Sequence, residues 1–201
     1  VDSQHAVLDP ETAMYTEHQA KEVLARAGVD CPLGILATSA AGAVTAAAEL
    51  GLPAALKLQS RDIPHKTESG GVALNLIEPA LISSTYTTMV QSAGDQFSDA
   101  RIDGVRVERM ACFGIELIVG VHYDHDFGLL LSVGSGGVLV EVLNDIVTTP
   151  LPVSHRQAKA LVSELRCLPL LKGVRGQSGG DMDALVNLLV TVSQFSLANE
   201  A

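Results

Sequence analysis

Two kinds of hydrophobic pattern follow each other along the chain, with a change near residue 104. Before that point, apolar residues at helical spacing alternate with short apolar runs, as in a layered α+β domain. Residues 16–19, Thr-Glu-His-Gln, have the form of a capping box and predict a first helix that ends at Gly28. Apolar runs at residues 33–37 and 54–58 predict two strands separated by an alanine-rich helix.

After residue 104, four apolar runs follow one another with only turn-forming segments between them. They predict a mostly antiparallel sheet and lie at residues 105–110, 115–121, 129–133 and 138–143. Two helices are predicted after this sheet, the first capped by Ser154 and the second from Asp181 to Asn199. The chain is therefore predicted to be α+β, with two lobes at residues 16–103 and 104–201 and a linker or tail at residues 1–15.

Composition narrows the classes of partner. The chain has 201 residues, 47% of them hydrophobic and only 3% aromatic, so the core is expected to consist of Ala, Val, Leu and Ile. A net charge of −10, with no basic cluster among aromatic residues, argues against nucleic acid as a partner. Three widely spaced cysteines suit a reducing cytoplasm, and no apolar run is long enough to predict a membrane span.

The segment from Lys57 to Gly71 is the first candidate for phosphate chemistry. A lysine at the end of a buried strand can reach a nucleotide phosphate, and the amides of Gly70 and Gly71 can approach the same group. His65, next to Lys66, is a residue type that can accept a phosphoryl group as a covalent intermediate. Taken singly, these features are also explained by a solvated strand end, an ordinary turn and an exposed loop histidine.

A second glycine-rich segment, residues 134–137, lies between two predicted strands and precedes Glu141 and Asp145. Gly136 and Gly137 can lie over phosphates while the two carboxylates bind Mg²⁺, which accompanies the nucleotide. A hairpin turn followed by solvated acids explains the same residues equally well.

Three further places are candidates for nucleotide contacts. Glu108 and Met110 close a strand at the lobe boundary, where an extended backbone and a carboxylate can bind an adenine edge. A surface acid on an alternating strand explains Glu108 as well. Glu116 either faces water or reaches a ribose hydroxyl. Arg175 and Lys172 lie in one glycine-containing loop. The two cations either bind phosphate or simply keep the loop soluble.

Five motifs follow one another between Thr16 and Asn199. In order they are Thr-Glu-His-Gln-Ala-Lys, Leu-Pro-Ala-Ala-Leu-Lys, Ile-Pro-His-Lys-Thr-Glu-Ser-Gly-Gly-Val, Gly-Ser-Gly-Gly-Val-Leu-Val-Glu-Val-Leu-Asn-Asp and Pro-Leu-Leu-Lys-Gly-Val-Arg-Gly. Together they resemble the ATP-grasp domain of NDP-forming acyl-CoA synthetases. The resemblance implies an ATP-grasp fold with a nucleotide cleft between two α+β lobes.

The resemblance also implies an activity and its residues. Such enzymes are acid–thiol ligases that interconvert an acyl-CoA and phosphate with an acid, CoA and ATP, through an acyl phosphate and a phosphohistidine. By this resemblance His65 relays phosphate to and from the nucleotide, and Glu141 serves the magnesium–phosphate region. The predicted metal ligands are Glu141 and Asp145, and the predicted nucleotide-binding residues are Lys57, Lys66, Gly70, Gly71, Glu108, Met110, Glu116, Gly136, Gly137 and Arg175.

Coenzyme A is implied to bind elsewhere, on a CoA-binding domain or an alpha-type subunit. Family members continue past the last helix into strands with a Glu-x-Asp-x-Asn-Pro motif that supplies metal ligands, whereas this sequence stops at Ala201. We therefore expect the C-terminal strands to be missing and the isolated chain to be inactive.

Two alternatives to the synthetase stay open. A catalytically silent ATP-grasp-like sensor or scaffold domain, fused to or partnering an acyltransferase, is favoured by the missing motif. It is also favoured by Asn144, where the family often has lysine. A carboxylate–amine ligase of the wider ATP-grasp superfamily is the other alternative, and it would not need His65.

Overall fold

A computed structural model describes residues 8–9, 14–63, 66–67, 69–112, 114–137, 144–174 and 178–200. Contacts divide the chain into two compact units. The N-terminal unit comprises Asp9–Ala25 and Asp30–Cys112. The C-terminal unit is mainly Phe113–Ala201, together with Arg26–Val29. The predicted α+β class is confirmed, because each unit packs helices against an antiparallel sheet.

The N-terminal unit contains a four-stranded sheet in the order β1-β4-β2-β3, in which every neighbouring pair is antiparallel. Its elements are α1 (Glu17–Arg26), β1 (Gly34–Ala37), α2 (Ala40–Leu50), β2 (Ala54–Gln59), β3 (Val72–Leu76), α3 (Pro79–Gln96) and β4 (Gly104–Arg109). The predicted capping box is confirmed at α1, where the Gln19 amide donates to Thr16 Oγ1 at 3.3 Å and the Thr16 amide donates to Gln19 Oε1 at 3.1 Å.

The strand register places apolar residues on one face of this sheet. Leu56 on β2 pairs with Val107 on β4, and Leu58 pairs with Val105. These four side chains are almost fully buried and form one core with residues of α2 and α3. Because side chains alternate along a strand, the residues between them lie on the opposite face. The sheet therefore has one apolar face and one face available for polar residues.

The C-terminal unit contains a three-stranded antiparallel sheet in the order β5-β6-β7. Its elements are β5 (Leu117–Asp124), β6 (Gly128–Ser135), β7 (Ile146–Pro150), α4 (His155–Glu164), the short α5 (Leu168–Leu171) and α6 (Met182–Ala198). Ser154 caps α4, as predicted, and Asp181 caps α6, which begins where the last helix was predicted. The predicted strand at residues 138–143 lies outside the described residues. β7 was not predicted, because it is short, alternates between exposed and half-buried residues and ends at a proline.

The boundary between the units differs from the one expected from sequence. The hydrophobic pattern starts the second lobe at Gly104, but β4 lies between β1 and β2 in the N-terminal sheet, and the contacts divide after Cys112. A pattern of apolar runs identifies strands but not their partners, since pairing depends on residues distant in sequence. Over the described ranges, no helix is both long and apolar enough to cross a membrane.

Candidate functional site

The polar face of the N-terminal sheet carries a group of charged side chains. Lys57 on β2 pairs with Arg106 on β4, and Glu108 lies two residues further along β4, so all three share this face. Helix α1 adds Glu17 and Lys21, and the turn before β3 adds Lys66. We call these six residues the ionic cluster: Glu17, Lys21, Lys57, Lys66, Arg106 and Glu108.

Glu108 is the buried centre of the ionic cluster, with only 5% of its side chain exposed. Its carboxylate oxygens lie 2.6 Å from Lys21 Nζ, 2.6 Å from Arg106 Nε and 3.0 Å from Lys57 Nζ. Burial acts to raise the pKa of Glu108, but hydrogen bonds from these cations outweigh it and lower the pKa. Glu108 thus binds three cations of the protein itself, whereas an adenine contact was predicted for it from the sequence.

Glu17, on helix α1, contacts three lysines of the ionic cluster. Its Oε1 lies 2.7 Å from Lys57 Nζ and 2.8 Å from Lys21 Nζ, and its Oε2 lies 3.6 Å from Lys66 Nζ. Burial lowers the pKa of Lys66 and is only partly offset by Glu17. Burial acts on Lys57 in the same direction, but its pKa is raised because Glu17 and Glu108 both contact it. Lys57 therefore stays firmly charged.

Arg106 is buried behind the lysines and fixes the neighbouring segments. Its Nη2 donates to the Pro32 carbonyl at 2.9 Å, and its Nη1 lies 2.6 Å from His18 Nδ1. A guanidinium only donates, so this contact is a hydrogen bond in the His18 tautomer whose Nδ1 accepts. Gly34 makes room for this arrangement, because a Cβ there would lie 2.5 Å from the guanidinium carbon.

The loop before β3 positions Lys66 beside Lys57. Gly70 has a left-handed backbone with φ of 71°, and the Gly71 amide donates to the Lys66 carbonyl at 2.6 Å. The Gly70 amide donates to the Thr67 carbonyl at 3.3 Å. Both glycine amides are thus used within the loop, and the expectation that they point at a phosphate does not match this geometry. The predicted phosphoryl acceptor, His65, lies outside the described residues.

Met110, the other predicted adenine contact, follows β4. Its side chain is half-buried, and its amide donates to the Pro53 carbonyl at 2.9 Å. That amide is therefore already engaged at the end of the sheet.

Glu116 and the glycines at the end of β6 meet in the C-terminal unit. The Gly136 amide donates to the Glu116 carbonyl at 2.7 Å, and a Cβ at Gly136 would lie 2.9 Å from the Leu117 backbone. Gly137 has φ of 58°, and a Cβ there would clash with the exposed Glu116 carboxylate. The structure therefore brings together three of the predicted nucleotide-binding residues and explains why two of them are glycine.

Comparison with known proteins identifies the fold. Residues 6–200 match the model of an ATP-grasp domain family. The chain belongs to this ATP-grasp family. It is 35% identical over 184 residues to the acetate–CoA ligase (ADP-forming) II subunit beta of Pyrococcus furiosus, which covers 92% of this chain and 78% of that subunit. This relative and a second one from the same organism are beta subunits of ADP-forming acetate–CoA ligases.

Solved structures agree with the ATP-grasp assignment. The dinucleotide-forming acetyl-coenzyme A synthetase 1 of Ca. Korarchaeum cryptofilum, in complex with coenzyme A and Ca-AMPCP, superposes with a TM-score of 0.87 at 31% identity. The match covers 92% of this chain and 81% of that one. Another structure of that synthetase holds coenzyme A and Mg-AMPPCP, with its phosphohistidine segment pointing towards the nucleotide binding site.

Other relatives are much longer than this ATP-grasp chain. The 4-hydroxybutyrate–CoA ligase (ADP-forming) of Nitrosopumilus maritimus is 35% identical over 179 residues, but the chain spans only 26% of its length.

Asp145, expected to bind Mg²⁺ in the ATP-grasp site, is instead bound by the protein. It is buried, its Oδ1 accepts from the Arg166 amide at 2.8 Å, and its Oδ2 accepts from the Cys167 amide at 2.8 Å and from Ser135 Oγ at 3.0 Å. Burial acts to raise the pKa of Asp145, but these donors lower it. Both oxygens are therefore engaged, and Asp145 does not fit the role of a metal ligand.

Two other residues were predicted from the sequence for the metal and phosphate sites. Glu141 and Arg175 lie outside the described residues. Among the residues that are described, no three of His, Cys, Asp and Glu come close enough to hold a metal ion.

Three residues of the ionic cluster were not predicted from the sequence: Glu17, Lys21 and Arg106. A weak signal for two of them exists, since Glu17 and Lys21 are four residues apart and so share one face of a predicted helix. Arg106 and Glu108 also alternate with valines on an apolar strand, which is typical of one polar face. Neither signal identifies the partner across the sheet.

Glu17 makes stability depend on pH. Burial acts to raise its pKa, but hydrogen bonds from Lys21 and Lys57 outweigh it and lower the pKa from 4.5 to about 2. The contribution of Glu17 to stability is therefore fully present above pH 4.5 and is lost as the pH falls towards 2. We expect Glu17→Gln to remove about 1–2 kcal/mol of this acid dependence, measured by urea unfolding across that range. Glu22→Gln, at an exposed site on the same helix, should keep the wild-type slope; an unchanged slope in Glu17→Gln would contradict the assignment.

Proposed function

We propose that this chain is the nucleotide-binding domain of an ADP-forming acyl-CoA synthetase and that it relays phosphate between His65 and ADP or ATP. The observation that carries the proposal is an excess of positive charge in the ionic cluster. Two carboxylates, Glu17 and Glu108, face four cationic side chains within a chain of net charge −10, and those four are Lys21, Lys57, Lys66 and Arg106.

An excess of partly buried cations is a suitable site for an anion. Lys57 and Lys66 expose only 23% and 16% of their side chains, so an anion that reaches them interacts in a medium less screened than water. Lys57 is held on a strand with its neighbours buried, which fixes its ammonium group before a ligand arrives. Fixed cations of this kind stabilise the charge on a phosphoryl group during its transfer.

Lys66 connects this anion site to the proposed phosphoryl acceptor, because it directly follows His65 in sequence. In the direction of ATP synthesis, an oxygen of the ADP β-phosphate attacks the phosphorus of phosphohistidine. The P–N bond breaks and its electron pair stays on the ring nitrogen; a proton already on the other ring nitrogen of phosphohistidine lets the ring leave as neutral imidazole. Lys57 and Lys66 would hold the phosphate oxygens in place and offset their charge. Mg²⁺ that accompanies the nucleotide would supply further positive charge to the phosphate oxygens. Asp145 does not fit as its ligand, and Glu141 lies outside the described residues.

Other parts of the reaction are proposed to lie on a CoA-binding domain or an alpha-type subunit. Support comes from the beta-subunit relatives, which are named as parts of larger enzymes. Coenzyme A and the acyl phosphate would be handled there. We also propose a cytoplasmic location, because the three cysteines are free in the structure.

A second candidate function is a silent sensor or scaffold domain that partners an acyltransferase. The hydrogen bonds that engage both oxygens of Asp145 favour it, because they remove one expected metal ligand. Such a domain would still bind nucleotide but would not transfer phosphate.

Labelling with γ-³²P-ATP tests the proposed relay. We expect the complete protein, incubated with labelled ATP and Mg²⁺, to acquire an acid-labile and base-stable label that His65→Asn reduces to background. His125→Asn, at an exposed turn histidine, should label as the wild type does. Binding of ATP without any label would support the silent domain, and label that persists in His65→Asn would overturn the assigned acceptor.

A further inference from the structure

The two carboxylates of the ionic cluster are held in different ways. Glu108 lies on a central strand, is 5% exposed and contacts three cations. Glu17 lies on helix α1 and exposes 28% of its side chain. A carboxylate at the solvent edge of a cationic site is replaced by another anion more readily than a carboxylate enclosed by the site. Glu17 is therefore the carboxylate that an incoming anion can replace.

The two oxygens of Glu17 bridge the two lysines that the proposed function assigns to phosphate. One oxygen lies 2.7 Å from Lys57 Nζ, and the other lies 3.6 Å from Lys66 Nζ. Two oxygens of one phosphate group bridge a pair of lysines in the same manner. Among the described residues, no other carboxylate lies within 4.0 Å of Lys66 Nζ. Glu17 thus supplies the negative charge that Lys66 would otherwise receive from a ligand.

Helix α1 can lose the Glu17 contact and remain attached to the sheet. Lys21, one turn further along the helix, stays bound to Glu108 at 2.6 Å. The His18 amide donates to Gln59 Oε1 at 2.8 Å, which ties the first turn of the helix to the end of β2. Of the α1 side chains only Val23 is buried, so little apolar packing changes when the Glu17 side chain moves.

We infer that Glu17 is an internal competitor for the nucleotide phosphate: it occupies the lysine pair in the free chain and must leave when ATP or ADP binds. The inference rests on the proposed function, because it takes Lys57 and Lys66 as the phosphate ligands. Glu17 then sets the affinity of the site. Only molecules in which Glu17 has left the two lysines can bind nucleotide. A chain without this carboxylate therefore binds nucleotide more tightly, because its lysines are always free to do so.

The test compares Glu17→Gln with Glu22→Gln by isothermal titration with ATP and Mg²⁺. Both changes remove one negative charge from α1, but Glu22 is 60% exposed and lies 3.5 Å from His18 rather than beside the lysines. If the internal contact occupies the site most of the time, Glu17→Gln should lower the Kd about three- to tenfold. Glu22→Gln should change it less than about twofold, through general electrostatics alone.

Glu17→Asp is a second variant that keeps the charge. It shortens the reach of the carboxylate towards the lysines, so it should also tighten ATP binding, by a smaller factor than Glu17→Gln. Thermal unfolding without ligand shows whether each variant is folded. If Glu17→Gln does not fold, a Kd for Glu17→Asp equal to or above the wild-type value overturns the proposal.

The remaining outcomes separate this inference from the proposed function. Weaker ATP binding by a folded Glu17→Gln variant would mean that Glu17 positions the lysines for the ligand, and the competitor role would be rejected. Equal tightening in Glu22→Gln would also reject it, because the effect would come from net charge. If the wild type and both variants bind no ATP, the proposed function itself fails.

Discussion

Replacement of Lys57 by methionine is expected to raise the Kd for ATP with Mg²⁺ at least about 30-fold, equivalent to about 2 kcal/mol or more of binding free energy. Lys57 is fixed on β2 between two paired strands, and its raised pKa keeps the ammonium group charged. Methionine keeps an unbranched apolar side chain but removes the charge that would bind phosphate oxygens. Isothermal titration measures the loss directly.

Lys159→Met is the matched control for this experiment. Lys159 lies on α4 with 64% of its side chain exposed, and its partner Asp183 is 85% exposed. The substitution removes the same charge without touching the ionic cluster, so ATP affinity should stay within about twofold of wild type.

The Lys57→Met variant is expected to fold, because each carboxylate of the ionic cluster keeps a cation. Glu17 keeps Lys21, and Glu108 keeps Lys21 and Arg106. Circular dichroism checks this. A folded Lys57→Met variant that binds ATP as tightly as the wild type would remove Lys57 from the nucleotide site.

Replacement of Asp145 by alanine is expected to destabilise the chain by about 3–5 kcal/mol, which places it among the most damaging single substitutions. The buried carboxylate accepts from two backbone amides, at Arg166 and Cys167, and from the Ser135 hydroxyl. Alanine leaves these donors without an acceptor where water does not replace it readily. Urea unfolding followed by circular dichroism gives the change in the free energy of unfolding.

Asp126→Ala is the control, because Asp126 lies in the exposed turn between β5 and β6. It should change stability by less than about 0.5 kcal/mol. The experiment also separates the structural role of Asp145 from the metal-binding role expected from sequence. Removal of a metal-site carboxylate would leave the metal-free chain unchanged or more stable, so that result would contradict the structural role.

Helix starts were the part of the fold that sequence predicted best. Thr16 and Ser154, which were predicted to cap helices, each accept from an amide three residues ahead, and Ser39 and Asp181 do the same. A cap depends on residues within one turn of each other, so the information needed is local.

Strand partners could not be predicted in the same way. The pattern identified β4 as a strand but assigned it to the wrong side of the lobe boundary, and it did not identify β7. In β4, apolar residues alternate with Arg106 and Glu108 on a strand whose two neighbours, β1 and β2, come from earlier in the chain. Which strands pair is decided by the packing of the whole sheet, which a local pattern does not contain.

The sequence by itself determined the α+β class, the helix caps, the motifs that resemble an ATP-grasp domain and the two lysines proposed to bind phosphate. Only the tertiary structure showed that Glu17 and Glu108 hold those lysines and that Asp145 is bound by the protein. The reason is physical: the pKa and the partners of a charged side chain depend on burial and on distances of a few ångströms. Those distances arise when strand register and helix docking bring residues 40 to 90 positions apart into contact.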